Sequence, residues 1–482
     1  MQRTALYYLI IVGLAALGLF LILRAGDRTY GQVSPFKASS AIATGQPGVT
    51  PTEGHSFATH LRESAADPLS RFFLQLFAVI TVSYSFGWLL TRYGQPAVVG
   101  EMLAGIVLGP SLFGLIFPGA FQFVFAASAL EPLRLLSQVG VCLFMFAVGM
   151  ETEWAELRRK ALTAVFVSHA SIAVPGLLGA GLAFLFYERL AQPGAPFIQF
   201  ALFVSVSMSI TAFPVLVRIL QDRGILKTSL GRMAATCAAV GDATAWGLLA
   251  LLVAFVKASD FSGAAMCLGL VLVFTGVMFF VIKPCLPRWL GDEALAKAKP
   301  PKSLLAIVMA IVLASAFCTQ LLGIHALFGA FVAGLIMPTE HDFRAKLGVR
   351  LENISTVLLL PVFFASSGLR TEIGLLHGRT DWLICLLIIA LATFGKLGGT
   401  SVAARLTGMK WGQSLPLGAL MNTRGLMELI ALNLGYELHI LSQQAFSMLV
   451  LMAVITTVMT GPLLTLFGSH QAKRLAPVEP LP

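Results

Sequence analysis

Five charged side chains interrupt long apolar stretches of this sequence and are its best candidates for chemistry: Glu101, Asp242, Lys396, Arg424 and Glu428. If lipid surrounds those stretches, a charge near the bilayer midplane costs at least about 2.5 kcal/mol on insertion scales. A chain keeps such a charge where it forms an ion pair or takes part in the protein's function. Hard cations take oxygen ligands, so the carboxylate of Asp242 can bind either a cation or a proton.

Asp242 and Lys396 are predicted to lie close to each other. Asp242 lies in AAVGDATAWGLLA, near the centre of a predicted span at 233–256, and Lys396 lies in LATFGKLGGTSVAA, within a predicted span at 382–404. The two helices run in opposite directions, and a rise of about 1.5 Å per residue puts both charges at comparable depth. We expect them to pair. The pair either takes part in ion binding or is a static salt bridge between helices.

The segment SMSITAFPVLVRIL, residues 207–220, predicts a broken helix. Pro214 lacks a backbone donor and disfavours helical geometry at the preceding residue, while Ser209 and Thr211 supply hydroxyls nearby. Non-helical backbone occurs at membrane depth only where it lines a cavity or is packed in protein. An ordinary proline kink is the alternative.

A second break is predicted in GALMNTRGLMELIALN, residues 418–433. Four residues interrupt its apolar run: Asn422, Thr423, Arg424 and Gly425. Freed carbonyls in such breaks can coordinate cations, and exposed helix ends need compensating charge. Arg424 and Glu428 are four residues apart on one helix and can pair. We expect this pair mainly to neutralise the break; a direct part in ion binding and an ordinary polar helix contact are the alternatives.

The composition of the chain requires lipid around most of it. Hydrophobic residues make up 57% of the 482 residues and charged residues 12%, whereas soluble domains carry about 25% charged residues. A spanning helix needs about 20 apolar residues. The sequence predicts an all-α polytopic membrane protein of about 14 transmembrane helices, at 5–23, 70–91, 97–117, 132–150, 162–186, 196–217, 233–256, 263–282, 303–322, 324–337, 354–369, 382–404, 415–436 and 445–467.

The basic residues indicate how these helices are oriented. With the N-terminus in the cytoplasm, most of the 33 Lys and Arg residues fall in cytoplasmic segments, as the positive-inside rule predicts. Both termini are then cytoplasmic. The same distribution explains the net charge of +10 without nucleic-acid binding. We expect an integral protein of a bacterial cytoplasmic membrane.

Four regions are predicted along the chain. Residues 1–23 are predicted to form an N-terminal membrane anchor or signal-like helix, and residues 24–68 an extracytoplasmic linker. Residues 69–468 form the membrane domain, and residues 469–482 form a short cytoplasmic tail. The six cysteines are scattered without CxxC spacing, which indicates neither a disulfide framework nor a zinc site. No cofactor is expected.

Several long motifs of the chain resemble those of one family. They are QPAVVGEMLAGIVLGPSLFG, FMFAVGMETEW, SITAFPVLVRIL, GDATAW, GIHALFGAFVAGLIMP, LLLPVFFASSGLRT, FGKLGG and MNTRGLMELIALNLG, in the order in which that family has them. On these motifs the chain resembles the monovalent cation:proton antiporter-2 family, and within it the plant cation/proton exchangers and their bacterial relatives. The similarity runs from about residue 70 to residue 467.

The resemblance implies a fold with an inverted repeat of two helix triplets and two crossed broken helices. Core helices would lie at about 162–256 and 382–467, and scaffold helices at about 70–150 and 303–369. The scaffold would form a homodimer within the lipid bilayer. The first span would be an addition to a thirteen-span plan, which agrees with the charge distribution.

The resemblance also assigns roles to individual residues. Asp242 matches the family's ion-binding aspartate, Lys396 matches the lysine that faces it, and Thr211 with its neighbours matches the unwound crossing. This chain has Gly241 where the family commonly has Asp or Asn. The glycine removes a potential second ligand or proton carrier, which leaves stoichiometry and ion preference open.

These expectations describe a secondary transporter, not an enzyme, since the predicted spans contain no HExxH, GxSxG or paired catalytic aspartates. A transported Na⁺ or K⁺ and a proton would compete for Asp242, with oxygens near Ser209 and Thr211 assisting, and the site would open alternately to either side. Two alternatives remain: a K⁺ efflux channel-like system, or a transport-inactive sensor that retains the fold, which only Gly241 favours.

Overall fold

In a computed structural model of the chain, the described residues are 67–468, with gaps at 94, 127–128, 152–160, 227, 258–260, 292–300, 323–325 and 355–357. The predicted anchor at 1–23, nearly all of the predicted linker and the predicted tail at 469–482 lie outside the described residues. The account below concerns the membrane domain.

The described part of the chain is helical, and an isolated β-bridge joins Ala191 to Leu441. Its α-helices in chain order are α1 (Pro68–Arg92), α2 (Ala97–Leu108), α3 (Phe113–Ile116), α4 (Pro118–Val124), α5 (Glu131–Glu151), α6 (Ala161–Leu190), α7 (Phe197–Ser209), α8 (Phe213–Asp222), α9 (Ser229–Lys257), α10 (Phe261–Val277), α11 (Lys283–Leu290), α12 (Lys302–Leu321), α13 (Ala326–Leu335), α14 (Phe343–Ile354), α15 (Leu360–Leu369), α16 (Arg379–Leu406), α17 (Trp411–Met421), α18 (Leu426–Glu437) and α19 (Gln443–Gly468). Short 3₁₀ turns lie at Glu340–Asp342 and Ile373–Leu375.

Nine helical stretches among the described residues are long and apolar enough to cross a membrane. They are Pro68–Arg92, Ala97–Ile116, Glu131–Met150, Leu162–Leu190, Ser229–Val256, Leu272–Leu290, Lys302–Leu321, Arg379–Leu406 and Gln443–Phe467. The predicted spans at 196–217 and 415–436 are each divided into two shorter helices. The all-α polytopic class is confirmed, while the count of 14 helices stays a prediction.

One span extends further than the sequence predicted. The predicted span at 263–282 was expected to end before Pro284, but a π-helical turn at Met278–Ile282 joins α10 to α11 and the helix continues to Leu290. A proline ring normally clashes with the carbonyl four residues earlier. The wider π turn lies immediately before Pro284 and relieves that clash. A helix at 343–354, α14, was not predicted at all.

Glycines bring helices of the scaffold region into backbone contact. A Cβ at Gly105 of α2 or at Gly368 of α15 would overlap backbone atoms of the other helix. α5 and α13 meet in the same way at Gly149 and Gly334. Small residues at helix interfaces allow close packing, which is a main source of helix association in lipid. These contacts fix the frame against which the remaining helices pack.

The helices around the candidate site follow the same order in both halves of the chain. In each half a long helix precedes a broken one and another long helix follows, as α6, α7 with α8 and α9 in the first half and as α16, α17 with α18 and α19 in the second. α6 packs against α7, α9 and α16 and so joins the two groups. The order matches the predicted triplets; their relation by an inverted repeat stays a prediction.

Gly368→Val tests the glycine contacts. The added side chain would overlap the backbone of Gly105, so we expect a loss of stability of about 1–3 kcal/mol, as is typical of overpacking. Thermal unfolding of the purified protein in detergent, followed by tryptophan fluorescence, measures the loss. Gly276→Val on α10 is the control, because nothing lies within 4 Å of a Cβ there. Equal melting temperatures for the two variants would contradict the assignment.

Candidate functional site

The first predicted break is present, but it lies before the proline rather than at it. α7 ends at Ser209, the backbone is extended at Ile210 and Ala212, and α8 begins at Phe213. Pro214 lies in the first turn of α8. Proline is tolerated there because the N–H it lacks would have no partner within the helix. The residue therefore starts the second half-helix instead of kinking a continuous one.

The second break lies where the sequence predicted it. α17 ends at Met421 and α18 begins at Leu426, with Asn422–Gly425 between them. A glycine at position 425 avoids a close contact, because a Cβ there would lie 3.0 Å from Cγ2 of Val215. The absence of a side chain at Gly425 allows α8 to pass close to the second break.

The two breaks contact each other directly. The backbone N–H of Ala212 donates to the carbonyl of Thr423 at 3.0 Å, and the hydroxyl of Thr211 donates to the carbonyl of Met421 at 3.2 Å. All four residues are buried. Backbone groups freed by one break are thus partly satisfied by the other, which is the condition for irregular backbone inside a membrane.

Lys396 binds the first break and not Asp242. Its fully buried ammonium donates to the carbonyl of Ser209, to Oγ1 of Thr211 at 2.6 Å and to Oγ of Ser171 at 3.3 Å. The predicted ion pair with Asp242 is wrong for this structure, in which the two charges are not within 4.0 Å of each other. Three oxygens already occupy the three donors that an ammonium has.

Arg424 satisfies the end of the same half-helix. Its fully buried guanidinium donates to the carbonyls of Ser207 at 2.9 Å and Met208 at 2.7 Å. It also forms the predicted i, i+4 ion pair with Glu428, at 3.2 Å. The last carbonyls of α7 carry the negative end of the helix dipole, so a cation there is stabilising.

Asp242 is a buried acid that lies near the N–H of Phe213 and the ammonium of Lys396. Its side chain lies on α9 and the residue is 4% exposed. Neither carboxylate oxygen has a hydrogen bond to a described residue. The N–H of Phe213, at the start of α8, lies near the carboxylate. Burying an ionised carboxylate costs free energy unless it is paired and hydrogen-bonded.

The hydroxyl of Ser209 does not occupy the position predicted for it. Its Oγ donates to the carbonyls of Ile172 at 2.8 Å and Ser205 at 2.7 Å, so it lies against α6. The carbonyl of Ser209, not its hydroxyl, takes part in the crossing through Lys396.

Two serines of α6 belong to the site and were missed in the sequence. Ser171 accepts from Lys396. The Oγ of Ser168 is buried without a hydrogen-bond partner among the described residues, and a Cβ at Gly241 would lie 3.1 Å from it. The two serines are three residues apart on an apolar helix, a spacing that puts both on one face. That spacing was the signal available in the sequence.

The second break is held by neutral groups of α19. The hydroxyl of Thr457 accepts from the N–H of Arg424 at 3.0 Å and donates to its carbonyl at 2.8 Å. The side-chain amide of Asn422 donates to the carbonyl of Thr456 at 3.3 Å, and the hydroxyl of Thr423 caps its own half-helix at Leu420, at 2.7 Å. These threonines of α19 were also missed.

Among the described residues, the crossing of the two breaks contains buried hydroxyl and carbonyl oxygens, and Asp242 is a buried carboxylate on α9. Such a donor set suits a hard cation. Within the described residues no group of three or more His, Cys, Asp or Glu side chains could hold a resident metal ion.

Arg424→Met tests the role of the buried ion pair. The substitution leaves Glu428 without its cation and two α7 carbonyls without donors, so we expect a loss of about 3–5 kcal/mol. Glu428→Gln should cost less, because glutamine retains an acceptor for Arg424 and keeps the shape. Melting temperatures in detergent measure both.

The double variant Arg424→Met with Glu428→Gln completes this test. It should be more stable than the sum of the single effects predicts, because the charge left unpaired by the first change is removed by the second. Strictly additive effects would show that the two side chains do not interact.

Comparison with known proteins places these features in context. Residues 78–468 match the transmembrane sodium/hydrogen exchanger family. The chain is 41% identical over 389 residues to the Na(+)/H(+) antiporter NhaS4 of Synechocystis sp., with 80% of this chain and 95% of that relative covered. It is 36% identical over 434 residues to Cation/H(+) antiporter 19 of Arabidopsis thaliana, covering 89% of this chain and 53% of that relative.

A yeast relative and a solved structure extend the comparison. The K(+)/H(+) antiporter 1 of Saccharomyces cerevisiae is 31% identical over 407 residues, covering 83% of this chain and 46% of that relative. The chain thus spans about half the length of the plant and yeast relatives. The structure of the sodium proton antiporter MjNhaP1 from Methanocaldococcus jannaschii aligns with a TM-score of 0.58 at 13% identity, covering 82% of this chain and 98% of that one. At that identity the alignment shows a shared fold only.

Proposed function

The chain belongs to the sodium/hydrogen exchanger family of integral membrane transporters and is not an enzyme, and from this premise we propose that it exchanges Na⁺ or K⁺ for protons at Asp242. The family resemblance predicted from its motifs is confirmed. Relatives named as Na⁺/H⁺ and as K⁺/H⁺ antiporters leave both cations as substrates.

The observation that carries this proposal is the unpartnered carboxylate of Asp242. It is 4% exposed and neither oxygen accepts a hydrogen bond from a described residue. A buried carboxylate without such bonds is costly to keep charged. A proton or a cation removes the cost, and both cannot occupy the carboxylate at once. Competition for one group is sufficient to couple their fluxes.

The neighbouring charges have a supporting role in this mechanism. Lys396 and Arg424 hold the end of α7 through its carbonyls, so they keep the first break in position while Asp242 gains and loses its ligand. Oxygens of the break, including the carbonyl of Ser209 and the hydroxyl of Thr211, would complete the coordination of a partly dehydrated cation. Gly241 supplies no second carboxyl group beside Asp242.

Transport also requires the site to open alternately to the two sides. We infer that the core helices, at about 162–256 and 382–467, move against the scaffold helices at about 70–150 and 303–369, as in other transporters with broken helices. The same proposal includes a homodimer formed by the scaffold and cytoplasmic termini, the latter from the distribution of basic residues.

Asp242→Asn is the decisive variant. In liposomes with a trapped pH dye, we expect a gradient of Na⁺ or K⁺ to drive proton movement in the unsubstituted protein and not in this variant, because an amide cannot exchange a proton or balance a cation. Asp381→Asn is the matched control. Asp381 is also buried, but it is paired with Arg189 at 2.7 Å near the start of α16, so its variant should retain exchange.

The same assay distinguishes the alternatives. Cation flux without proton movement would indicate a channel-like K⁺ system, and no flux of either ion would indicate a sensor that keeps the fold. Cation-driven proton movement at an unchanged rate in Asp242→Asn would exclude the proposed mechanism.

Lys396→Gln tests whether the lysine is mainly structural. Because Lys396 donates to oxygens of α6 and of the first break, we expect a lower melting temperature, by the equivalent of about 1–3 kcal/mol for buried acceptors left unsatisfied. Exchange should be reduced less than in Asp242→Asn. An unchanged melting temperature together with complete loss of exchange would instead assign Lys396 to the ion-binding step.

A further inference from the structure

A cavity of about 40 Å³ lies where α18 meets α5 and the end of α15. A water-sized group needs about 10–15 Å³, so the cavity has room for about three such groups. Three charged side chains line it: Arg134, Arg370 and Glu437. The proposed exchange at Asp242 uses none of them, and their arrangement indicates a separate ligand.

The charges that line the cavity do not balance. One carboxylate oxygen of Glu437, Oε1, lies 3.1 Å from Nη2 of Arg370 and 3.3 Å from Nη2 of Arg134. Two guanidinium groups therefore share one carboxylate, and one positive charge is left in excess. Such a cavity attracts a small anion and repels a free cation.

The two arginines differ in the number of donors that they have left. Arg370 donates to Asn433 at 3.0 Å and to Glu437 at 3.1 Å, and its guanidinium also lies over the ring of Tyr436. The side chain of Arg134 pairs with Glu437 and with no other described residue. A guanidinium has five N–H donors, so Arg134 retains donors for a ligand in the cavity.

Neutral side chains add further donors to the same lining. Ser137, Gln138 and Ser366 line the cavity, and their side chains form no hydrogen bond to a described residue. Ser137 is only 4% exposed, and a buried hydroxyl in a native protein nearly always has a partner. Hydroxyl and primary amide groups can both donate to an anion.

We propose that this cavity binds a small inorganic anion of the halide class, held by the guanidinium of Arg134 and the hydroxyl of Ser137. Hydrogen bonds from a charged donor to an anion are strong. Apolar side chains such as Val141 and Phe363 complete the lining and strengthen the attraction, because they lower the local dielectric constant. The volume suits a halide with one or two waters and is too small for a glycerophosphate headgroup.

Chloride titration tests this site. The protein is purified in detergent with N-methylglucamine as the added cation, so that neither Na⁺ nor K⁺ competes for Asp242. Replacing gluconate by chloride at constant ionic strength should raise the melting temperature by about 2–3 °C and then saturate, because a ligand of the folded state stabilises it by mass action. No rise, or a rise without saturation, would overturn the proposal.

Arg134→Gln removes the excess charge and should abolish the saturable rise. Arg189→Gln is the matched control. The Arg189 side chain is 47% exposed against 42% for Arg134, and it also pairs with one carboxylate, but it does not line the cavity. Its variant should respond to chloride as the unsubstituted protein does. Equal responses of the two variants would contradict the assignment.

Ser137→Ala tests the hydroxyl without breaking a bond within the protein. We expect the chloride concentration at half of the rise to increase about tenfold, as is typical for the loss of one hydrogen bond to a charged group. Ser83→Ala is the control, because Ser83 is fully buried with an unpartnered hydroxyl among the described residues but lies on α1, outside the cavity. Equal midpoints for both variants would exclude the proposed site.

A second measurement detects the bound anion directly. Exchange of chloride with a protein site broadens the chloride NMR signal, and added bromide should displace chloride and narrow it again. We expect this excess line width in the unsubstituted protein and not in Arg134→Gln. A line width that the unsubstituted protein does not change would overturn the site.

This inference does not depend on the proposed function. Asp242→Asn should retain the saturable chloride response and the excess line width, because Asp242 does not line the cavity. A protein that exchanges cations for protons without binding chloride would refute the anion site alone. A protein that binds chloride without exchange would refute the proposed function alone.

Discussion

Lipid offers no hydrogen bonds to the end of a broken helix. The arrangement at the centre of this protein depends on which groups bind the free carbonyls at the end of α7. Its last carbonyls, at Ser207, Met208 and Ser209, accept from Arg424 and Lys396. Both cations are fully buried and both come from the second half of the chain. The negative end of a helix dipole and two positive charges therefore stabilise one another where neither would be stable alone.

The buried cations around this interaction have compensating partners, and Asp242 differs from them in this respect. Arg424 is compensated by Glu428, and Lys396 by backbone and hydroxyl oxygens, whereas neither carboxylate oxygen of Asp242 has a hydrogen bond to a described residue. In the proposed exchange, a bound proton and a bound monovalent cation would each add one positive charge to this group. The protein surroundings would then experience the same net charge in either loaded state, so exchange of one for the other would need no further rearrangement of the buried charges.

Sequence patterns predicted the helical fold and the two helix breaks, because apolar length, intramembrane charges and local interruptions are properties of single segments. Long-range geometry was harder to predict. Pairing of Lys396 with Asp242 followed from equal depth, but depth does not fix which way a flexible lysine side chain extends, and nearby oxygens bind it instead. Pro214 marked the first break only to within a few residues. Ser168 and Ser171 carry no charge, and their spacing of three residues on an apolar helix is a weaker signal than a charged side chain.

The attachment of α7 to distant cations has a consequence for biogenesis. Lys396 follows Ser209 by 187 residues, and Arg424 follows Ser207 by 217. At about 5–20 residues per second, the ribosome needs roughly ten to forty seconds to synthesise the intervening chain. During that interval the last carbonyls of α7 lack the two cations that bind them in the finished protein. The membrane core is thus completed from its C-terminal third, and a nascent chain that stops before residue 396 leaves the insertion machinery with an unfinished helix end.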